Sequence, residues 1–254
     1  MDPIIDTHAH ICDPDFDGDR DQVLLRAQAA GVSAIVAVSE TLEDAKHNLL
    51  LADAFPMIRP AAGLYPTHLD WKAADLMIDF IGRNRARLWA IGEVGLDYWK
   101  IKDESDRERQ KQIFARFIDL SLELDLPLNV HSRSAGHHTM GVLLARGAKR
   151  VQLHAFDAKA SAALPGVEAG YFFSIPPSVV RSKQKQKLVR HLPLESLLVE
   201  TDSPVLGPDP RSRNEPANVR QAIRAVSELK SVSEAEVIRA VYQNTRRLYG
   251  EGIS

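Results

Sequence analysis

The sequence predicts an α/β fold, a closed (β/α)8 TIM barrel, on three observations. Eight short apolar runs punctuate the chain, longer amphipathic stretches separate them, and 254 residues suit eight such units. The runs are IIDTHAHI (4–11), SAIVAV (33–38), IRPAAGL (58–64), LWAIGEVGL (88–96), LPLNVHS (126–132), VQLHAF (151–156), YFFSI (171–175) and LLVETDS (197–203). They are largely continuous rather than alternating, the pattern of strands buried on both faces of a parallel sheet. Between them, DRDQVLLRAQAAG (19–31) reads as a helix closed by glycine, and TLEDAKHNLLLADAF (41–55) as one opened by a threonine cap. Residues 104–125 form a long amphipathic pattern and 233–249 the closing one. No linker, low-complexity segment or internal repeat interrupts residues 1–254, which read as one domain. An open doubly wound sheet uses the same units, but no Gly-rich phosphate turn follows the first strand.

Composition narrows the class. Hydrophobic residues at 44% supply a large core, and a formal charge of −2 excludes a globally basic nucleic-acid coat while allowing a local basic rim. The single Cys12 has no partner for an internal disulfide, which fits a reducing compartment. No apolar run is long enough to span a membrane, and the acidic N-terminus is unlike a signal peptide. A cytoplasmic, monomeric enzyme with no membrane partner is the expectation.

The polar residues within the strands carry the chemistry. His8 and His10 are two apart, which places both imidazoles on one strand face about 7 Å apart. By the same alternation Asp6 shares that face. In a (β/α)8 barrel, catalytic groups sit at the C-terminal strand ends, because all eight strand-to-helix loops open there. His8 and His10 end the first strand, Glu93 lies in the fourth, His131 ends the fifth, His154 comes late in the sixth and Asp202 ends the eighth. Any one alone reads as a satisfied buried polar residue. Six at one rim are costly to bury unless a cation pairs them. Two cations suit the set: His8, His10 and Asp202 for one, His131 and His154 for the other, with Glu93 bridging. Ions about 3.5–4 Å apart lower the pKa of water and clamp the oxygens of a hydrolysis. Asp202 is the candidate to take the water's proton, which with Glu93 makes the catalytic pair. Nitrogen and oxygen donors without thiolate suit Zn, Mn, Co, Fe or Ni as divalent ions, with Mg as a further working ion. Asp6 and Glu200, two residues before His8 and Asp202, are expected to orient those ligands from behind.

Taken in order, His-x-His, GEVGLDYW, NVHSR, LHAF and ETDSP resemble the TatD-type metal-dependent hydrolases and deoxyribonucleases of the amidohydrolase superfamily. DPDF (13–16), RNEP (213–216) and QNTRRLY (243–249) extend the likeness to almost the whole chain, and SRSAG (132–136), HAFD (154–157) and GYFFSIPPSVVRS (170–182) look most like one animal subgroup. The resemblance implies a ligand set of His8, His10, Glu93, His131, His154 and Asp202. It also implies hydrolysis of DNA phosphodiesters, trimmed from the 3′ end. Some relatives are linked to removing D-amino acids from mischarged tRNA, so a carboxylic ester on tRNA is the alternative substrate. Two positions depart from the family pattern. Many members carry Cys where this chain has Ala155. Members also commonly carry Gly-x-His-Pro after the third strand, with the histidine against the substrate phosphate. Here GLYPTHLD puts Tyr65 at that position, able to donate one hydrogen bond but not a positive charge. His68, three residues on, is the candidate replacement.

Basic residues that could grip a nucleic-acid backbone follow the seventh and eighth strands: Arg181, Lys183, Lys185, Lys187, Arg190, Arg211 and Arg213. The run 181–190 reads more simply as a solvated helix face. Arg133, directly after a ligand, and Arg213 are the expected substrate contacts, while Tyr98, Trp99 and Phe156 are aromatic candidates for stacking a base.

Overall fold

Each apolar run becomes a strand in a computed structural model that describes residues 2–253. The strands are β1 (Ile4–Ala9), β2 (Val32–Ala37), β3 (Ile58–Ala62), β4 (Ala90–Gly95), β5 (Leu128–His131), β6 (Val151–His154), β7 (Phe172–Ile175) and β8 (Leu197–Val199). All are parallel and pair in sequential order from β1 to β8. Beyond β8 the chain meets β1: the Asp202 N–H donates to the His8 carbonyl (2.8 Å) and the His10 N–H to the Ser203 carbonyl (2.9 Å). Several strands stop short of their apolar runs. LLVETDS yields only Leu197–Val199, so Asp202 lies three residues past β8. The unpaired ends form the loops of the functional face.

Helices cover the barrel: α1 (Arg20–Ala29), α2 (Leu42–Ala54), α3 (Trp71–Asn84), α4 (Glu104–Leu124), α5 (Gly136–Ala145), α6 (Leu164–Glu168), α7 (Lys183–His191), α8 (Val219–Lys230) and α9 (Glu234–Tyr249). Their ends follow local chemistry. After α1, Gly31 adopts φ +89°, the left-handed conformation in which a side chain would clash with its own backbone. At Thr41, the side chain accepts from the Asp44 N–H while Asp44 accepts from the Thr41 N–H, a reciprocal cap worth about 1 kcal/mol. Asp103 and Ser233 cap α4 and α9 without that reciprocity, their side chains accepting from backbone N–H groups of the first turn. Among the described residues, no helix is long and apolar enough to cross a membrane.

The barrel interior is layered. At its base Ile5, Val36, Ala61, Ala90, Phe172 and Leu198 pack against Leu248, Tyr249 and Ile253 of the C-terminal segment. Each larger side chain among them, such as Ile5 or Phe172, contributes about 1.5–3 kcal/mol on burial. Above them lies a polar layer of Thr7, Asn129, Gln152, Ser174 and Glu200, all fully buried and mutually bonded. Tyr249 links the two layers, donating its hydroxyl to Gln152 Oε1 (2.6 Å) and accepting from Asn129 Nδ2 (3.2 Å). The third layer is the site.

Candidate active site

Glu93 stands at the centre. Its Oε1 is 2.5 Å from His131 Nδ1 and 2.8 Å from His154 Nε2, while its Oε2 faces His10 Nε2 (3.4 Å) and His8 Nε2 (3.7 Å). One carboxylate thus offers each oxygen to a separate histidine pair. Asp202 Oδ1 lies 3.4 Å from His8 Nε2 and 3.3 Å from His10 Nε2. The six ligands of the sequence reading therefore converge. His8 with His154 and Asp202, His8 with His10 and Glu93, and Glu93 with His131 and His154 each bring three donor atoms within 4.8 Å of one another. Glu93 Oε2 is fully buried with no hydrogen-bond partner, an expensive state for a carboxylate oxygen and one that a cation relieves. The donor set fits divalent ions.

Backbone geometry makes the convergence possible. A Cβ at Gly92 would lie 2.6 Å from Asn129 Cβ, so only glycine lets β4 and β5 approach as closely as Glu93 requires. Asp202 sits at φ +54°, a left-handed conformation that aspartate tolerates better than most residues.

Electrostatics match. Burial opposes a charge on His8, yet its bond to Asp202 and the charges of Glu93 and Asp202 outweigh this and lift its pKa to about 10. Burial likewise opposes a charge on His131, but Glu93 and Asp97 raise it to about 9. His154, stacked on His8 with ring centroids 3.9 Å apart, falls to about 4 through burial and that neighbouring charge. Burial works against ionisation of Glu93 and Asp202, but the surrounding imidazoles hold both carboxylates well below the usual range. Ionised carboxylates face charged imidazoles across the pocket.

Residues that hold the ligands from behind differ from those expected. His8 Nδ1 donates to Asn129 Oδ1 (2.8 Å), and Asn129 Nδ2 donates to the Thr7 carbonyl (2.9 Å). Because a carbonyl only accepts, the amide orientation is set, and with it the His8 tautomer that leaves Nε2 facing the cavity. On the other side His131 Nε2 donates to Asp97 Oδ2 (3.1 Å), which also accepts from the Tyr65 hydroxyl (3.2 Å). Sequence reasoning missed both Asn129 and Asp97. Their signal was position: Asn129 lies two residues before His131 in NVH, and Asp97 ends the GEVGLD run.

Asp6 does not touch an imidazole. A register irregularity between Asp6 and Ala9 breaks the simple alternation, so Thr7 and His8 both turn inward. Asp6 accepts instead from the Thr201 N–H (2.8 Å), the Thr201 hydroxyl (2.5 Å) and the His8 N–H (3.3 Å), pinning the backbone of one ligand. Glu200 does not bond to Asp202, the residue it was expected to orient; its Oε1 lies 3.9 Å from His154 Nδ1 and accepts from the Ala155 N–H (2.8 Å). Burial pushes both carboxyls up to about 7.

His10, Glu93, His131, His154 and Asp202 floor a cavity of about 510 Å³ whose walls include Glu40, Tyr65, Ser132, Arg133, Asp157, Gln184, Lys185, Val205 and Leu206. Tyr65 is on that wall, where burial and the charges of Glu93 and Asp97 keep its phenol protonated well above the usual range. Arg133 stacks on Trp99, its guanidinium carbon 3.8 Å from the ring centroid, at the exposed mouth. Tyr98 and Phe156 are buried and have no face free for a base, which leaves Trp99. Two of the expected substrate contacts are elsewhere. His68 is exposed and borders a small hollow against α4, beside Gln110 and Phe114. Arg213 is committed to a two-pronged pair with Asp19 (2.8 and 2.7 Å) and to the Asp15 carbonyl (2.5 Å), off the cavity wall. Lys185, in the run read as a solvated face, instead turns inward and donates to the Ala155 carbonyl (3.0 Å).

A parallel (β/α)8 barrel with four histidines and two carboxylates at its C-terminal rim defines a metal-dependent hydrolase. The chain belongs to the TatD family: the profile described as TatD related DNase matches residues 5–250. It is 43% identical to human deoxyribonuclease TATDN3 over 97% of this chain and 94% of that protein. It is 31% identical to a Bacillus subtilis protein named as the uncharacterized metal-dependent hydrolase YabD, covering 97% and 98%. The crystal structure of the Escherichia coli TatD homologue YjjV superposes with a TM-score of 0.90 at 28% identity, covering 98% of each chain.

Proposed function

We propose that this protein hydrolyses DNA phosphodiesters as a 3′–5′ exodeoxyribonuclease, using two divalent cations. The observation that carries the two-cation reading is Glu93, whose two oxygens face two separate histidine pairs. His8, His10 and Asp202 would hold one ion, His131 and His154 the other, and Glu93 both. Such ions supply Lewis acidity towards phosphoryl oxygens and lower the pKa of water. The side chains do the rest. Asn129 and Asp97 fix which nitrogens of His8 and His131 face the cavity. Asp202, held ionised beside the cavity, is the base that takes a proton from the attacking water. Lys185 and Arg133 present positive charge to a phosphate entering the cavity, in place of the histidine usual at Tyr65. All six ligands come from one chain, so a monomer suffices. The human relative's name, deoxyribonuclease, supports DNA as substrate.

The test is a time course on a single-stranded oligonucleotide labelled at its 5′ end, with Mg²⁺ or Mn²⁺, with EDTA, and with Glu93→Gln. A ladder shortening stepwise and abolished by EDTA and the substitution is expected. An intact oligonucleotide with fully metallated protein sinks the proposal. The Tyr65 hydroxyl, spent on Asp97, favours one second reading: a carboxylic ester on nucleic acid, tested with D-aminoacyl-tRNA.

A further inference from the structure

Helix α7 carries lysines on two sides. Lys185 enters the catalytic cavity, whereas Lys183 and Lys187, four apart, share the opposite stripe with His191. That stripe forms one wall of a second hollow of about 440 Å³, completed by Ala158, Lys159, Ala160 and Ser161 at the 3₁₀ turn Ala160–Ala163. The two spaces adjoin. Gln184 lines both, held by bonds from its Nε2 to the Phe156 (3.2 Å) and Ala158 (2.6 Å) carbonyls, and Asp157 on one wall is followed by Ala158 on the other.

This groove gathers unpaired positive charge. Several arginines elsewhere are matched: Arg26, Arg87, Arg116, Arg146 and Arg213 each hold a carboxylate within 3.0 Å. Among the described residues, the ammonium groups of Lys159, Lys183 and Lys187 have neither hydrogen bond nor ion pair, and all three side chains are exposed. No carboxylate lines the groove. Asp157, on the adjoining cavity wall, is engaged by the Ser134 N–H (2.8 Å). Three unpaired cations along one open channel, in a chain of net charge −2, await anions. From Lys183 to His191 the helix runs about 12 Å, longer than the rise between successive phosphates of a strand.

We propose that this groove is the path of the sugar-phosphate backbone of single-stranded DNA away from the catalytic cavity, with Lys159, Lys183 and Lys187 taking consecutive phosphates beyond the scissile one. The inference rests on the phosphodiesterase reading and deepens it. On this path the enzyme grips several nucleotides, so long strands are expected to bind better than dinucleotides.

The experiment compares the metal-loaded wild type with the triple variant Lys159→Ala, Lys183→Ala, Lys187→Ala. Substrates are a long single-stranded oligothymidylate and a thymidine dinucleotide. For the long substrate KM rises about tenfold at unchanged kcat, and the log–log salt dependence becomes shallower by about 2. For the dinucleotide both parameters stay put, and the triple Lys→Arg variant restores the wild-type KM. An unchanged KM on the long strand, or an equal rise on both substrates, overturns the groove. If wild type cuts neither substrate, the phosphodiesterase reading fails separately. Fluorescence polarisation of the labelled oligothymidylate then decides the groove alone: weaker, less salt-sensitive binding by the triple variant upholds it, and equal binding overturns it.

Discussion

His8 Nδ1 lies 2.8 Å from Asn129 Oδ1, and this neutral amide, rather than a carboxylate, selects the nitrogen that His8 presents to the cavity. Asn129→Ala removes that selection and strands the Tyr249 hydroxyl and Thr7 carbonyl contacts. Metal affinity should fall about 10–100-fold. Stability should drop by about 1–3 kcal/mol, since buried polar groups lose a partner. Chelator competition and urea melts of the metal-free protein measure the two separately. Unchanged affinity would remove Asn129 from the site.

Glu93→Gln keeps the shape of the carboxylate but halves its capacity to accept and removes its charge. We expect turnover to fall more than about 100-fold, beyond the loss typical of groups behind a ligand. Bound metal per chain should also fall, as read by elemental analysis. A variant that keeps full metal content and activity would rule out a bridging role.

The pH dependence of metal uptake has a definite sign. In the cation-free site the pKa values of His8, about 10, and His131, about 9, lie above neutrality, so both imidazoles hold a proton at pH 7. A cation must displace those protons. Affinity should therefore strengthen as pH rises towards 9 to 10 and weaken as it falls. Calorimetric titration in buffers of different ionisation enthalpy should show proton release at pH 7. Binding with no release contradicts the assignment.

Tyr65→Phe removes one hydrogen bond to Asp97 and nothing else. Because Asp97 still accepts from His131, kcat should fall less than about tenfold with KM unmoved. A large KM effect would place the hydroxyl on the substrate instead.

Arg213→Ala should leave oligonucleotide KM unchanged and lower stability by about 1 kcal/mol, because its guanidinium joins Asp19 and covers Phe16 rather than facing the cavity. A raised KM at wild-type stability would reverse this assignment.

The fold was legible because buried parallel strands leave a trace of uninterrupted apolar runs, and the convergence of the candidate ligands because charged groups are rare inside them. Asn129 escaped notice because an uncharged amide in LPLNVHS looks like any satisfied core polar residue. Asp6 was set on the face of His8 by strict alternation, which the irregularity after Asp6 breaks, and no local composition announces such a break. Arg213 and Lys185 show a further boundary. Neighbours in sequence locate a backbone, but the direction of a long side chain depends on partners such as Asp19 or the Ala155 carbonyl, far away along the chain.

The seam where β1 meets the segment after β8 has a consequence for synthesis. His8 and Asp202 belong to opposite ends of the barrel, and the Asp202 N–H that closes it is the neighbour of the carboxylate that completes the ligand set. A chain emerging from the ribosome carries five of the six candidate ligands before Asp202 and can assemble no complete cluster until the last strand arrives. Hydrolytic activity is thereby withheld from every unfinished copy, without a separate inhibitor.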